Sequence, residues 1–65
     1  MNTRKYNQVI DKMIEENSNF FMVTPILISN NRVNYINFNS GTVAKLKDTD
    51  EFTLREMMKE ELKAC

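Results

Sequence analysis

The segment from Asn17 to Lys47 constrains the fold most, because it is apolar on both faces of the strands that it predicts. It contains no aspartate or glutamate, and it holds four of the six aromatic residues of the chain. A strand that is apolar on both sides needs cover on both sides. A chain of 65 residues has few residues left for that cover, so we expect part of the apolar sheet surface to stay exposed.

Turn residues divide this segment into three short predicted strands. Asparagine tolerates a positive φ angle better than most residues, and asparagine and glycine are typical of tight turns. The pattern therefore predicts an antiparallel meander. Its strands run over Phe20–Ile28, Val33–Phe38 and Thr42–Leu46, and its turns lie at Asn30-Asn31 and Asn39–Gly41.

The proline in the first predicted strand conflicts with regular pairing. A turn at Asn30-Asn31 puts Pro25 at a hydrogen-bonded position of the ladder, where it has no N–H to donate. We expect a bulge or bend at Thr24-Pro25; the alternatives are a loop of different length or pairing that begins after the proline. The proline also indicates that this strand lies at an edge of the sheet or has its ladder broken there.

Both faces of the hairpin are apolar in this register. A shift of one strand by one residue would change the cross-strand partners and still leave both faces apolar. One face carries Met22, Ile26, Ile28, Val33 and Tyr35, and the other carries Phe21, Val23, Leu27, Ile36 and Phe38.

A helix is predicted near the N-terminus, where apolar residues from Tyr6 to Ile14 recur at helical spacing and form one stripe. Thr3 or Asn2 is the expected N-cap. Asn17, which can adopt the left-handed conformation, is the expected end of this helix.

A second helix is predicted near the C-terminus. Thr53 and Glu56 have the spacing of a capping box, with Thr53 as the N-cap. Phe52 and Met57 are spaced for a hydrophobic staple around it. The expected buried stripe consists of Leu54, Met57, Met58 and Leu62.

These elements predict one small α+β domain over residues 1–65, in the order α-β-β-β-α. The sheet is a three-stranded antiparallel meander flanked by N- and C-terminal helices. Short connections at both ends favour packing of both helices on one face. The other face would then be an interaction or dimer surface.

The composition argues against chemistry at a catalytic centre. The chain has no histidine and one cysteine, so neither a structural zinc site nor an internal disulfide is expected. Gly41 is the only glycine, which excludes a glycine-rich phosphate loop. We therefore expect no catalytic residue, metal, cofactor or small-molecule substrate. No apolar run reaches the roughly 18 residues of a membrane span, and a cytoplasmic location without membrane contact is expected.

Protein binding is the function that the sequence favours. We expect a small non-enzymatic interaction protein that binds a host protein as a regulator or inhibitor, with a homodimer as a further possibility. The nine asparagines suggest an AT-rich genome, such as that of a phage or mobile element. The predicted protein-binding residues are Phe21, Leu27, Tyr35 and Ile36.

The alternative is a small nucleic-acid-binding regulatory protein. The net charge is zero, but the basic residues of the acid-free middle segment are unopposed there, while the C-terminal part is acidic. Basic and aromatic residues on a sheet can contact phosphates and stack on bases. The residues expected to bind nucleic acid in this case are Arg32, Lys45 and Lys47.

Overall fold

The computed structural model describes all 65 residues and has the predicted order of helix, three antiparallel strands and helix. The α+β fold with N- and C-terminal helices is therefore confirmed. Two short 3-10 helices join the sheet to the α-helices at Ser18–Val23 and Leu46–Asp48. The main elements are α1 (Thr3–Glu16), β1 (Ile26–Asn30), β2 (Val33–Asn37), β3 (Val43–Lys45) and α2 (Glu51–Lys63).

Helix α1 begins with a side-chain cap and ends at the predicted residue. Asn2 is the N-cap, and its Oδ1 accepts a hydrogen bond from the backbone N–H of Lys5 at 2.8 Å. Asn17 ends the helix, but its conformation is extended, with φ −153°, and not left-handed as expected. Its N–H still donates to the carbonyl of Met13 at 2.9 Å, so the last turn closes without a left-handed residue.

The predicted strand over Phe20–Ile28 is wrong in its first half, because Ser18–Val23 forms a 3-10 helix. Residues three apart lie on the same side of such a helix. Phe20 and Val23 are accordingly both buried in the core, which alternation along a strand would not allow. The two residues between them are turned to solvent.

The turn between β1 and β2 lies one residue later than the predicted Asn30-Asn31. Asn31 and Arg32 occupy it with φ angles of 52° and 66°, the pair of left-handed residues that a type I′ hairpin turn requires. Arginine rarely adopts this conformation, which is why the two asparagines were the more favourable choice on sequence.

The ladder between β1 and β2 ends at Ile26, which lies opposite Asn37. Pro25 therefore stays outside the ladder, and its missing N–H costs no strand hydrogen bond. The expected bulge at Thr24-Pro25 does not form, and the alternative in which pairing begins after the proline is the observed one. The strand order is β1-β2-β3, so β1 lies at an edge, which is the first of the two alternatives that the proline indicated.

The sheet keeps the two faces that the sequence predicted for the paired residues. The observed pairing differs from the predicted one by two positions, so no side chain changes face. The inner face carries Leu27, Ile36 and Ala44. The outer face carries Ile26, Ile28, Asn30, Val33, Tyr35, Asn37, Val43 and Lys45.

Both α-helices and the first 3-10 helix pack on the inner face and form one core around Ile36, which has 0% exposure. No element covers the outer face, where three aliphatic side chains are exposed. The buried core consists of Tyr6, Val9, Ile10, Met13, Phe20, Val23, Ile36, Phe38, Leu46, Leu54 and Met58.

Helix α2 begins three residues before the predicted capping box, because Asp50 and not Thr53 is the N-cap. The carboxylate of Asp50 accepts from the backbone N–H of Thr53 at 2.8 Å, and a negative charge suits the positive end of the helix dipole. Phe52 now lies in the first turn and is 71% exposed, so the predicted staple with Met57 does not form. The buried stripe itself is confirmed, with Leu54 and Met58 fully buried and Met57 and Leu62 packed at its margin.

An ion-pair network ties the two helices together over the core. The guanidinium of Arg55 donates to both carboxylate oxygens of Glu16, at 2.9 and 3.3 Å, and to Glu51 at 3.0 Å. Lys5 lies 3.2 Å from the other oxygen of Glu51. The hydrogen bonds from Arg55 lower the pKa of Glu16 and of Glu51. The network therefore joins α1 to α2.

Candidate interaction surface

The outer face is the largest group of exposed aliphatic side chains in the structure. Ile26 is 62% exposed, Ile28 is 43% exposed and Val43 is 55% exposed. Val33 and Tyr35, on the central strand, are half-buried by these neighbours. Cross-strand pairing places all five on one side of the sheet. Large exposed apolar patches on small proteins mark binding surfaces more often than isolated apolar residues do.

A shallow depression of about 260 Å³ lies within the outer face. Its apolar walls are Ile28, Tyr35 and Val43, and its rim includes the side chains of Asn30 and Asn37. An amide both donates and accepts hydrogen bonds. The depression can therefore hold an apolar side chain of a partner while the rim amides bind the partner's backbone.

Two further apolar side chains are exposed in the first 3-10 helix, just before β1. Phe21 is 72% exposed and Met22 is 65% exposed. They point outward because Phe20 and Val23 occupy the buried side of the same turn. Phe52, at the start of α2, is also exposed. The sequence predicted that Phe52 packs against Met57 in a hydrophobic staple. With Asp50 as the N-cap, Phe52 lies in the first turn of α2 and on the surface.

The structure divides the four predicted protein-binding residues into two pairs. Phe21 is exposed, and Tyr35 lies half-buried on the outer face. Leu27 is on the inner face, packed against the core, and Ile36 is completely buried there. Burial of Ile36 excludes it as a contact residue in the folded protein, and Leu27 offers little surface. The cause is that the helices cover the face that these two residues share.

The protein-binding residues predicted from the sequence did not include Ile26, Ile28 and Val43, which are the exposed aliphatic residues of the outer face. The signal for the first two was present, since the predicted pairing already placed them on one face with Tyr35. Which face the helices cover could not be read from the strands alone. Val43 joins the same face through its pairing with Asn37 of β2.

The three predicted nucleic-acid-binding residues do not all converge. Arg32 and Lys47 line one depression of about 240 Å³, together with the start of α1. Lys45 lies on the outer face, opposite Tyr35 in the β2–β3 ladder. None of the three forms an ion pair with an acidic residue.

The buried phenol of Tyr6 connects α1 to the start of the sheet. Its hydroxyl donates to the carbonyl of Pro25 at 3.1 Å. Burial raises the pKa of Tyr6 to about 12, so the hydroxyl keeps its proton at physiological pH. It satisfies the carbonyl at the point where the chain enters β1.

No group of three or more histidine, cysteine, aspartate or glutamate side chains is arranged to hold a metal ion. The free thiol of Cys65 is exposed at the end of the chain. No helix combines the length and the apolar character needed to cross a bilayer.

Comparison with known proteins gives no match of significance: no protein-family model, no curated protein and no solved structure resembles this chain. The fold and the exposed surface define it as a small α+β protein with one uncovered apolar sheet face.

Proposed function

We propose that this chain is a small non-enzymatic interaction protein, which binds an apolar patch of another protein through the outer face. The observation that carries the proposal is the exposure of Ile26, Ile28 and Val43 on one side of the sheet. Exposed side chains of this kind lose water contact only when a partner covers them, and that transfer is favourable by about 25 cal/mol per Å².

The polar groups around the patch give this partner its expected character. Lys45 is the only charged side chain on the outer face, and it has no acidic neighbour in an ion pair. A partner with an apolar centre and an acidic rim would complement it, because opposite charges at the rim steer association. Asn30 and Asn37 add hydrogen-bonding groups beside the depression.

The biological role that fits is that of a regulator or inhibitor of a host protein, encoded by a phage or mobile element and acting in the cytoplasm. Support comes from the small size and the asparagine-rich composition. A single cysteine, which can form no disulfide within the chain, fits a reducing compartment.

Capture of the partner from lysate of the native cell tests the proposal. Tagged wild-type protein is expected to retain a defined protein, identified by mass spectrometry. Ile26→Ser and Val43→Ser each remove an exposed aliphatic side chain from the outer face and should reduce retention about tenfold or more, as for contacts at the centre of an interface.

The matched control is Phe52→Ser, which removes an even more exposed apolar side chain outside the sheet, on α2. Retention by this variant should equal that of the wild type. Equal losses in Phe52→Ser and Val43→Ser would contradict the proposal, because they would indicate nonspecific adhesion. Absence of any retained protein would contradict it as well.

A second candidate function is nucleic-acid binding, which one feature of Arg32 favours. This arginine has φ 66° in a position where glycine is much more favourable. Arg32 has a strained backbone conformation, and its side chain forms no ion pair within the protein. Backbone strain clusters at functional sites, which suggests a binding role for the guanidinium group. Lys47 lies beside it in the same depression.

Retention on an immobilised nucleic-acid resin separates this candidate from protein binding. Binding at about 0.1 M salt that falls steeply as salt rises is expected if phosphate contacts dominate. Arg32→Ala and Lys47→Ala should then reduce retention, while Lys12→Ala, a change at an exposed lysine of α1, should not. Retention that is absent, or equally reduced by all three changes, would exclude this function.

A further inference from the structure

One edge of the sheet has backbone groups that bind nothing within the chain. In the β1–β2 hairpin, residues facing each other alternate between hydrogen-bonded and non-bonded pairs. The pair next to the two-residue turn, Asn30 and Val33, is bonded. Ile28 and Ile26 are therefore bonded to β2 as well, and the peptide groups of Leu27 and Ser29 point away from it. No turn, cap or side-chain hydrogen bond uses them.

Edge strands in soluble proteins usually carry protection against pairing with another chain, such as charges, bulges or a proline. β1 has none of these over Ile26–Asn30, and the last three residues of the strand are all exposed. The opposite edge is protected. β3 is only three residues long, it contains Lys45, and the carbonyl of Lys45 accepts the Thr49 hydroxyl at 2.8 Å.

We propose that β1 pairs with β1 of a second copy of this chain, antiparallel, about a two-fold axis that passes through Ile28. Leu27 then lies opposite Ser29 of the second copy. The N–H of Leu27 donates to the carbonyl of that serine, the serine N–H donates back to the Leu27 carbonyl, and symmetry repeats both bonds. The two Ile28 side chains meet as a non-bonded pair, the arrangement in which facing side chains are closest.

The self-complementarity of the edge favours a second copy over a foreign strand. A two-fold interface requires that one surface match itself. The outward peptide groups of Leu27 and Ser29 are spaced symmetrically about Ile28, so one register satisfies all of them. An exposed isoleucine also gains an isoleucine as its partner, and no like charges meet along the uncharged edge.

Exposed residues beyond β1 would also gain cover in this dimer. The pairing ends where Ile26 of one copy faces Asn30 of the other, so the turn at Asn31 and Arg32 of one copy lies near the segment that precedes β1 in the other. Thr24 directly follows the 3-10 helix that carries Phe21 and Met22, which are 72% and 65% exposed. The turn of the second copy is thus near a segment of the first copy that carries two exposed apolar side chains.

The dimer would join the outer faces of both copies into one continuous surface on a single sheet. It does not rest on the proposed binding of a host protein, since the edge and the outer face are different surfaces. A partner bound to the outer face would find two equivalent sites related by the dimer axis.

Cysteine cross-linking tests the register. In a Cys65→Ser background, Ile28→Cys should form a disulfide-linked dimer readily under mild oxidation, because a disulfide requires Cα atoms within about 7 Å. Ile26→Cys is the matched control on the same strand and face. In the proposed register each Ile26 lies opposite Asn30, so the two Ile26 residues are separated by four positions, or about 13 Å.

If exposure alone decided the rate of cross-linking, Ile26→Cys would cross-link faster than Ile28→Cys, since Ile26 is 62% exposed and Ile28 is 43% exposed. Selective cross-linking through position 28 is therefore the expected result. Equal cross-linking through both positions would indicate random collision, and no cross-linking through position 28 would exclude the register. Either outcome would overturn the proposal.

Sedimentation equilibrium over a range of concentrations tests the edge itself. Ser29→Pro removes an N–H that points to the second copy and leaves the β1–β2 ladder intact, while Ser29→Ala retains that N–H. The proline variant should raise the dimer dissociation constant about tenfold or more, since each dimer loses two hydrogen bonds. The alanine variant should match the wild type.

Circular dichroism and thermal unfolding of both variants verify that each one is folded. Wild-type protein that stays monomeric up to about 1 mM would overturn the proposal, since even small specific interfaces associate below that concentration. Binding of a foreign peptide strand at the β1 edge by protein that does not dimerise would also overturn the proposal. Val43→Ser distinguishes host-protein binding by the outer face from dimerisation through β1. Loss of host-protein retention by a variant that still dimerises would support the proposed function and leave the edge pairing unaffected.

Discussion

The two faces of the sheet are built from similar residues, but the inner face is buried and the outer face is exposed. Ile26, Leu27 and Ile28 follow one another in β1, yet Leu27 packs against the core while its two neighbours are exposed. On β2, Ile36 is fully buried and the adjacent Tyr35 is not. Hydrophobicity of a strand therefore does not decide its burial in this protein. The available cover decides it.

The cover is limited because both helices reach the same side of the sheet. Each helix is joined to the sheet by a 3-10 helix, Ser18–Val23 on the α1 side and Leu46–Asp48 on the α2 side. Both connections pack into the core themselves, through Phe20 and Val23 on the α1 side and Leu46 on the α2 side, and they therefore lead both helices to the inner face. The inner face receives two helices, and the outer face receives none.

The largest expected difference between the faces comes from the same substitution made on each. Ile36→Ala removes a fully buried side chain and should lower the free energy of unfolding by about 3 kcal/mol. Ile28→Ala, on the outer face, should lower it by less than about 1 kcal/mol. Urea denaturation of dilute protein measures both. Equal losses would show that the outer face is covered in solution.

The cap of α2 maintains the cover on the inner face. Asp50→Ala removes the carboxylate that accepts from Thr53 N–H and should cost about 1 kcal/mol of stability. Thr53→Ala is the control, since its side chain would be the cap under the sequence prediction and is not in the structure. Thermal unfolding should show that Asp50→Ala is clearly less stable than Thr53→Ala. A larger loss in Thr53→Ala would restore the predicted capping box.

The hairpin turn at the margin of the outer face stores strain that a glycine should relieve. Arg32→Gly places glycine at φ 66° and should raise the free energy of unfolding by about 0.5–1 kcal/mol. Arg32→Ala keeps the strained conformation and should leave stability nearly unchanged. Chemical denaturation distinguishes them. Destabilisation by Arg32→Gly would mean that the arginine side chain makes a stabilising contact within the fold.

The smallest expected effect concerns the ion pairs between the covering helices. Hydrogen bonds from Arg55 lower the pKa of Glu16 and Glu51 in the folded protein below the ordinary value of 4.5. A lowered folded pKa stabilises the fold above the ordinary pKa, and this stabilisation is lost as pH falls through the folded pKa.

Arg55→Gln should therefore reduce stability slightly at pH 7, and the difference from wild type should vanish in acid. More than a third of each glutamate side chain is exposed to solvent, and screening keeps the effect small. Lys63→Gln, which changes an exposed pair within α2, is the control and should show almost no pH-dependent difference. If the stability gap between Arg55→Gln and wild type widened in acid, the lowered pKa values of the two glutamates would be contradicted.

Local patterns predicted the elements that depend on local interactions. The α1 stripe, the Asn2 cap, the α2 stripe and the three-strand order with β1 at an edge were all readable from spacing. The errors arose where two local solutions compete. Asp50 and Thr53 are both favourable N-cap residues for α2. The residues from Phe20 to Val23 fit either a strand or a turn of 3-10 helix that buries Phe20 and Val23 together.

The candidate surface was half predictable for the same reason. Of the four predicted protein-binding residues, Phe21 is exposed and Tyr35 is half-buried on the outer face, while Leu27 and Ile36 face the core. Pairing defines which residues share a face, and this part was correct. Nothing in the strand itself distinguishes the covered face from the open one.

The sequence by itself determined an α+β fold, an amphipathic helix at each end, and a hairpin with apolar residues on both faces. Each of these follows from side-chain spacing and short-range hydrogen bonding along the chain. Only the tertiary structure decided which face became the core, because that depends on where short connections deliver the helices. It also decided that Arg32 takes a left-handed turn position, because the pairing of Asn30 with Val33 places the two-residue turn at Asn31 and Arg32.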